Sequence, residues 1–117
     1  MDDHLMKSIE DIAVEAWRFQ GVFQRMLSRM DPLDAARYAN QYAWFRKKVD
    51  EAVEKAGMTL ISVEGQPFDA GMAVTPLNID EFDADDVLIV HRMIEPIVMC
   101  SGKVCRTGAA MLRRAEE

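Results

Sequence analysis

Apolar side chains recur through the first thirty residues at alternating spacings of four and three. The series is Leu5, Ile9, Ile12, Ala16, Phe19, Phe23, Met26 and Met30. An average period of 3.5 residues is typical of a helix that packs against other helices. A second, weaker stripe widens the apolar face and consists of Met6, Ala13, Trp17 and Leu27. The width predicts a helix with two neighbours in a bundle.

A second series with the same spacings begins after Asp31-Pro32. It consists of Ala35, Tyr38, Tyr42, Phe45, Val49, Ala52 and Ala56. Proline disfavours the helical conformation in the preceding residue and suits the first turn of a new helix. Gly57 follows the last periodic residue, where a helix C-cap belongs. Because the connection is short, residues 1–57 predict an antiparallel helical hairpin.

A lone two-helix hairpin leaves much of two wide apolar faces in contact with water. We therefore expect two hairpins to pair as a dimeric four-helix bundle across a two-fold axis. The predicted dimerisation residues are Ile12, Phe19, Phe23, Tyr42 and Phe45. The alternative is a monomer in which the helices fold back on the second half of the chain. In either case the aromatic stripe is interpreted as a packing surface and not as a cofactor site.

After Gly57 the pattern changes to short runs rich in β-branched residues, separated by turn residues. The predicted strands lie at residues 59–63, 73–77, 87–92, 97–100, 103–106 and 109–113. Ser101-Gly102 separates two of these runs and predicts a two-residue hairpin. Residues 58–117 therefore predict a small antiparallel β domain. Together the two parts predict an α+β fold with a boundary between residues 57 and 58.

Charge is distributed unevenly between these two parts. The chain has 117 residues and a net charge of −6, with 14 basic and 20 acidic residues. Residues 1–57 hold ten acids and nine bases, whereas residues 58–117 hold ten acids and five bases. An acidic chain is a poor candidate for nucleic-acid binding. No apolar run approaches the roughly 20 residues that span a bilayer, and the N-terminus does not resemble a signal peptide, so we expect a soluble cytoplasmic protein.

Cys100 and Cys105 are candidates for a disulfide or for metal ligands. In a regular hairpin Cys100 faces Lys103 and Val98 faces Cys105, so the two sulfurs are diagonal neighbours. Diagonal positions lie roughly 7–8 Å apart, which is longer than a relaxed disulfide allows. Two cysteines alone also lack the ligand number of a zinc site. The prediction is a pair of reduced thiols that pack as small residues.

No pattern in the sequence predicts catalysis, a metal site or a bound cofactor. The acidic run at residues 80–86 lacks the central glycine of an EF-hand loop and has Phe82 among its acids, so it is interpreted as a solvated loop. His4 and His91 are distant in sequence and form no Ser-His-Asp or Cys-His arrangement. The glycines are scattered turn residues and do not form a phosphate-binding loop. A binding or scaffolding role is favoured over an enzyme.

Two short motifs in the β half, residues 65–69 (Gly-Gln-Pro-Phe-Asp) and residues 102–109, resemble the GrpE family of nucleotide exchange factors. The first motif matches the family element G-x-P-[FLY]-D. The second is similar to the family's final strand pattern G-R-x-[LI]-R-x-A-x-V: Gly102 and Arg106 match, Lys103 keeps the charge, and Ala109 or Ala110 takes the alanine place with a shift of about one residue. Residues 55–58 also resemble the family's helix-to-β junction. Only four residues precede Leu5, so the resemblance implies a short, divergent member without the long N-terminal stalk helix.

The resemblance implies a co-chaperone in protein folding and the stress response, with no catalytic residues of its own. GrpE-like proteins bind the nucleotide-binding domain of a DnaK-type chaperone and promote ADP release. Carried onto this chain, the partner-binding residues are Pro67, Phe68 and Asp69 in a contact loop and Lys103 and Arg106 as cationic contacts. The alternative readings are a core plug for Phe68 and a solvated edge-strand charge for Arg106. The alternative function is a dimeric adaptor or scaffold with a different protein partner.

Overall fold

The computed structural model describes residues 3–116 of the chain. Two helices come first and a small β domain follows, so the α+β fold expected from the sequence is confirmed. The described residues divide into two compact units, one ending at Met58 and the other beginning at Thr59. Among the described residues, no helix combines the length and apolar character needed to cross a membrane.

The first unit is a helical hairpin. Helix α1 spans Asp3–Arg29 and helix α2 spans Pro32–Lys55, so the Asp31-Pro32 break lies where the sequence predicts it. After α2, Gly57 adopts a φ of 77° and its N–H donates to the Glu54 carbonyl oxygen at 2.9 Å. This left-handed conformation ends the helix and favours glycine.

Aromatic rings show that the two helices run antiparallel. Phe19 meets Phe45 edge to face with ring centroids 6.2 Å apart, and Phe23 stacks on Tyr42 at 5.8 Å. The contact that lies four residues later on α1 thus lies three residues earlier on α2. The heptad spacing places these rings on facing sides of the helices, which gives the hairpin its internal contacts.

Six strands in two three-stranded sheets follow, all within the second unit except for Met58 at the start of the first strand. The strands are β1 Met58–Ile61, β2 Val74–Pro76, β3 Leu88–Glu95, β4 Ile97–Cys100, β5 Lys103–Arg106 and β6 Gly108–Arg114. One sheet has the order β1-β4-β5 and the other β2-β6-β3. A 3-10 turn at Ile79–Glu81 overlaps the acidic segment, for which the sequence predicts a loop.

The pairings differ from the predicted sheet at one place. Strand β3 pairs antiparallel with β6, but β2 pairs with β6 in parallel, whereas the sequence predicts antiparallel strands. The long segment between β2 and β6 permits a parallel pairing, which a tight hairpin cannot make. Pro76 ends β2 at the edge of its sheet, where a missing N–H is tolerated.

The chain passes between the two sheets at two adjoining corners. Pro96 is fully buried and separates β3 from β4, and Thr107 separates β5 from β6. The core of the β domain is formed by buried aliphatic side chains, which include Val74, Leu88, Val90, Met93, Ile97, Val98, Ala110 and Leu112. On β6 the buried positions alternate with less buried ones, as expected for a strand with one face on a core.

Candidate protein-binding site

Residues 65–69 lie alongside β3 and are held to it by backbone hydrogen bonds. The Gly65 N–H donates to the Val90 carbonyl oxygen at 2.8 Å, and the Phe68 N–H donates to the Leu88 carbonyl oxygen at 2.8 Å. Pro67, which has no N–H, sits between these two bonds opposite Ile89. The segment is therefore an extension of the β3 edge and not a freely hanging loop.

Within this segment the three predicted contact residues differ in exposure. Pro67 and Asp69 are exposed and Phe68 is half-buried, so Phe68 both packs on the domain and presents part of its ring. Asp69 also orders the following turn, because its Oδ1 accepts a hydrogen bond from the Gly71 N–H at 3.1 Å. Such local bonds are typical of aspartate at turns. Half-burial is compatible with both predicted roles of Phe68, a contact residue and a core plug.

Arg106 is paired with Glu95 at the end of β3. Its guanidinium Nη2 lies 3.3 Å from the Glu95 Oε1, and each side chain is 27% exposed. Partial burial makes this pair better ordered than a fully solvated ion pair, and the contact narrows the range of directions in which the arginine side chain points. Arg106 is therefore not simply a solvated charge on an edge strand. Lys103, at the other end of β5, is exposed.

The prediction of two reduced thiols is wrong in this structure. Cys100 and Cys105 form a disulfide, with their Cα atoms 5.8 Å apart. The turn is as predicted: Ser101 and Gly102 have φ values of 51° and 83°, and Cys100 pairs with Lys103. Two positive φ values are typical of the type I′ hairpin turn.

The predicted register of the hairpin is wrong from the second residue pair beyond the one that closes the turn. Met99 pairs with Val104, but Val98 pairs with Arg106 and not with Cys105. Cys105 is thus the extra residue of a β-bulge, which the regular register assumed from sequence did not contain. The bulge moves Cys105 out of the diagonal position and brings its sulfur within reach of Cys100.

The bulge also changes which side chains share a face. Cys100 and Val98 are two residues apart on β4 and so lie on one face of the strand. Their partners are Lys103 and Arg106, which therefore share that face as well. Lys103 and Arg106 therefore lie on the same side of the hairpin as Val98, which is fully buried, whereas a regular strand would place the two cations on opposite sides.

The five predicted partner-binding residues form two groups and not one cluster. Phe68 is bonded to Leu88 at one end of β3, and Arg106 is paired with Glu95 at the other. Leu88 and Glu95 pair with positions five residues apart on β6, so roughly 17 Å separates the two groups along the strand. A partner that contacts both groups must cover a broad surface.

The helical hairpin carries a separate apolar surface. Phe19 is 57% exposed and Phe45 is 40% exposed, although their rings contact each other. Ile12 is 71% exposed, and Phe23 and Tyr42 are half-buried. An open depression of about 210 Å³ lies among these rings, lined by Phe19, Gln20, Phe23, Gln41, Tyr42 and Phe45. All five predicted dimerisation residues thus keep surface that the hairpin itself does not cover.

Sequence reasoning missed two acidic residues that organise the β domain. Glu95 is the partner of Arg106, and no local pattern links positions eleven residues apart. Glu64 accepts a hydrogen bond at Oε1 from the Met93 N–H at 2.8 Å, beside an irregularity in the β3–β6 ladder. A strand irregularity can leave a backbone N–H without a ladder partner, and an acidic residue near a turn is one way to satisfy it.

Within residues 3–116, no three histidine, cysteine or acidic side chains are grouped so that they could hold a metal ion. No protein-family model matches the chain, and neither does any curated protein or solved structure. The two motifs and the geometry of the two surfaces are therefore the basis for a proposed function.

Proposed function

We propose that the protein is a GrpE-like nucleotide exchange factor that binds the nucleotide-binding domain of a DnaK-type chaperone and promotes ADP release. The order of parts supports the proposal, because a helical hairpin precedes a β domain that carries both motifs. The observation that carries it furthest is the hairpin at β4 and β5, where Lys103 and Arg106 share one face. This hairpin belongs to the segment that resembles the family's final strand.

The proposed mechanism needs no catalytic residue in this chain. An exchange factor that binds the open form of the chaperone more tightly than the closed form shifts the population toward the open form. The free-energy difference between the open and closed forms changes by the difference between the two binding free energies. An arginine held by Glu95 suits this task, since a pre-ordered guanidinium loses less conformational entropy when it meets a carboxylate of the partner.

The second group of contacts supports a wide interface. Pro67, Phe68 and Asp69 lie on a segment held to β3, roughly 17 Å from the Arg106 end of the strand. A stable protein–protein interface commonly buries about 800 Å² on each partner, which is broad enough to include both groups. In the proposal, Arg106 anchors one end of the interface and Phe68 the other.

The hairpin's aromatic face is proposed to bind a second copy of the same hairpin. A dimeric four-helix bundle would cover the exposed rings of Phe19 and Phe45 and fill the depression between them. The heptad spacing of both helices favours a helix as the element that packs on this aromatic face, and not a flat surface or an extended segment. We place the homodimer in the cytoplasm, where DnaK-type chaperones act.

The direct test uses a DnaK-type chaperone from the same host, loaded with fluorescently labelled ADP. The protein should accelerate ADP release, and Arg106→Glu should weaken that acceleration by roughly tenfold or more at limiting concentration. Arg92→Glu is the matched control, because Arg92 is an exposed arginine on β3 of the same domain. No acceleration at saturating protein would reject the exchange activity.

The same assay distinguishes an exchange factor from the alternative function, a dimeric adaptor. An adaptor would form the homodimer yet leave ADP release unchanged, and would not co-sediment with the nucleotide-free chaperone. Equal loss of activity in Arg106→Glu and Arg92→Glu would remove Arg106 from the interface, because a general effect of charge would then explain both.

A further inference from the structure

The disulfide and the β-bulge occur at the same residue, and neither is required by the turn. The turn at Ser101 and Gly102 fixes only the pairing of Cys100 with Lys103. From there a regular ladder would place Cys105 opposite Val98, which leaves the two sulfurs diagonal and too far apart to bond. The bulged ladder brings them together. The covalent bond and the register are therefore coupled.

The two registers present the cations differently. In the bulged register Arg106 lies opposite Val98, on the same face as Lys103. In the regular register Arg106 would lie opposite Ile97, and a shift of one residue reverses the face on which a strand side chain lies. The ion pair between Arg106 and Glu95 is observed in the bulged register.

We propose that the Cys100–Cys105 disulfide is a redox switch that holds the hairpin in the bulged register and so presents Lys103 and Arg106 on one face. Reduction releases the register, Cys105 moves opposite Val98, and Arg106 leaves the face of Lys103. The structural part of this proposal stands alone, and its consequence for partner binding depends on the proposed function. Disulfides of cytoplasmic proteins are commonly transient or redox-sensing, in keeping with this role.

The chemistry is thiol–disulfide exchange with a dithiol reductant. One thiolate of the reductant attacks a sulfur of the Cys100–Cys105 bond and forms a mixed disulfide, and the second thiolate resolves it. Two electrons and two protons pass to the protein, which gains two thiols, and the reductant becomes a disulfide. Cys105 is exposed and Cys100 is half-buried, so the bond can be reached from solvent.

The rest of the fold can accommodate the shift. The turn keeps its geometry in both registers, so movement is confined to the part of β5 beyond Val104. Thr107 is exposed and lies between β5 and β6, where it can take up the one-residue change. Gly108 remains anchored, because its N–H donates to the Ala73 carbonyl oxygen at 2.9 Å.

The register is measured directly by cross-strand backbone proton contacts in nuclear magnetic resonance spectra of the full chain. The oxidised protein should connect Val98 to Arg106, and the protein reduced with dithiothreitol should connect Val98 to Cys105. The Cys100→Ser/Cys105→Ser variant should match the reduced form and ignore the reductant. If the reduced protein keeps the Val98–Arg106 contact, the switch is rejected, and this result needs no chaperone and does not depend on how the variant folds.

A second measurement tests the consequence for function. The oxidised protein should bind the chaperone's nucleotide-binding domain roughly tenfold or more tightly than the reduced protein, since a charge-assisted contact is lost on reduction. A register change without any chaperone binding in either state would reject the proposed function and keep the switch. Equal affinity of the two states, with a register change present, would reject the regulatory consequence.

Discussion

Gly108 lies against the backbone of Glu95, where the chain turns from one sheet of the β domain to the other. A Cβ atom at Gly108 would lie 2.9 Å from the Glu95 carbonyl oxygen and 3.1 Å from a side-chain carbon of Ile97. Gly108 is buried and its φ is not in the left-handed region, so the requirement for glycine here is one of space. The close approach allows the corner at Pro96 to pack on the start of β6.

Gly108→Ala should therefore destabilise the β domain. Insertion of a methyl group against backbone forces the corner apart and costs about 1–3 kcal/mol of unfolding free energy. Urea denaturation followed by a probe in the β domain would measure the loss. Gly71→Ala is the matched control, because a Cβ there meets only the Asp69 carboxylate at 3.6 Å. An equal effect at both positions would show that the contact with Glu95 is not the cause.

Asn78 continues the β2–β6 ladder with its side chain. The Asn78 Nδ2 donates to the Leu112 carbonyl oxygen at 3.0 Å, and the Leu112 N–H donates to the Asn78 Oδ1 at 2.8 Å. Asn78→Ala should cost about 1–3 kcal/mol, because both Leu112 groups are left partly buried without these partners. Hydrogen exchange at the Leu112 amide should accelerate.

Two further variants make the Asn78 result specific. Asn78→Asp keeps the acceptor for the Leu112 N–H but sets a carboxylate against the Leu112 carbonyl oxygen, so it should also destabilise the domain. Ser62→Ala removes a longer, exposed bond of 3.4 Å to the Glu64 N–H and should have little effect. A stable Asn78→Ala variant with unchanged exchange at Leu112 would contradict this account.

The helical half of the fold could be predicted well because its signals are local. The heptad series, Pro32 and Gly57 each act within a few residues, and the observed helices end within about two residues of the predicted positions. Ser101-Gly102 is local in the same sense, and it correctly placed Cys100 opposite Lys103. Local steric preferences decide such features before any tertiary contact forms.

The remaining features depend on contacts between distant residues. The parallel pairing of β2 with β6, the Glu95–Arg106 pair and the bulge at Cys105 each join segments whose separation or register the local pattern does not report. The bulge has the largest effect on the prediction. A regular register predicts separated thiols and places Arg106 on the face opposite Lys103, whereas the bulged register has a disulfide and places both cations on one face. The sequence therefore proposes residues for the candidate site, whose role stays a prediction, and does not predict how the fold arranges them.

Reduction of the disulfide should weaken the β domain only moderately. The bond closes a loop of six residues, from Cys100 to Cys105, and so short a loop removes little conformational entropy from the unfolded chain. The expected loss is about 2 kcal/mol of unfolding free energy, seen as a lower urea midpoint with an unchanged slope. Cys100→Ser/Cys105→Ser should show the same midpoint with and without reductant. Complete unfolding on reduction would show that the bond holds the domain together, which contradicts a role as a switch.

Phe19→Asp should separate the proposed dimer into monomers. Phe19 is 57% exposed in the single chain, and its ring contacts both Phe23 and Phe45. A carboxylate placed at the centre of the paired aromatic faces would be buried without a partner, which costs several kcal/mol per copy. Sedimentation should give twice the chain mass for the natural protein and the single chain mass for the variant.

Trp44→Asp is the matched control for this experiment. Trp44 is 60% exposed, but it lies about 100° around α2 from Phe45 and carries Lys48 over its ring at 4.5 Å. It therefore belongs to a different side of the helix, and its replacement should leave the dimer mass unchanged. A natural protein that sediments as a monomer would reject the bundle, and a dimer that survives Phe19→Asp would move the interface away from the aromatic face.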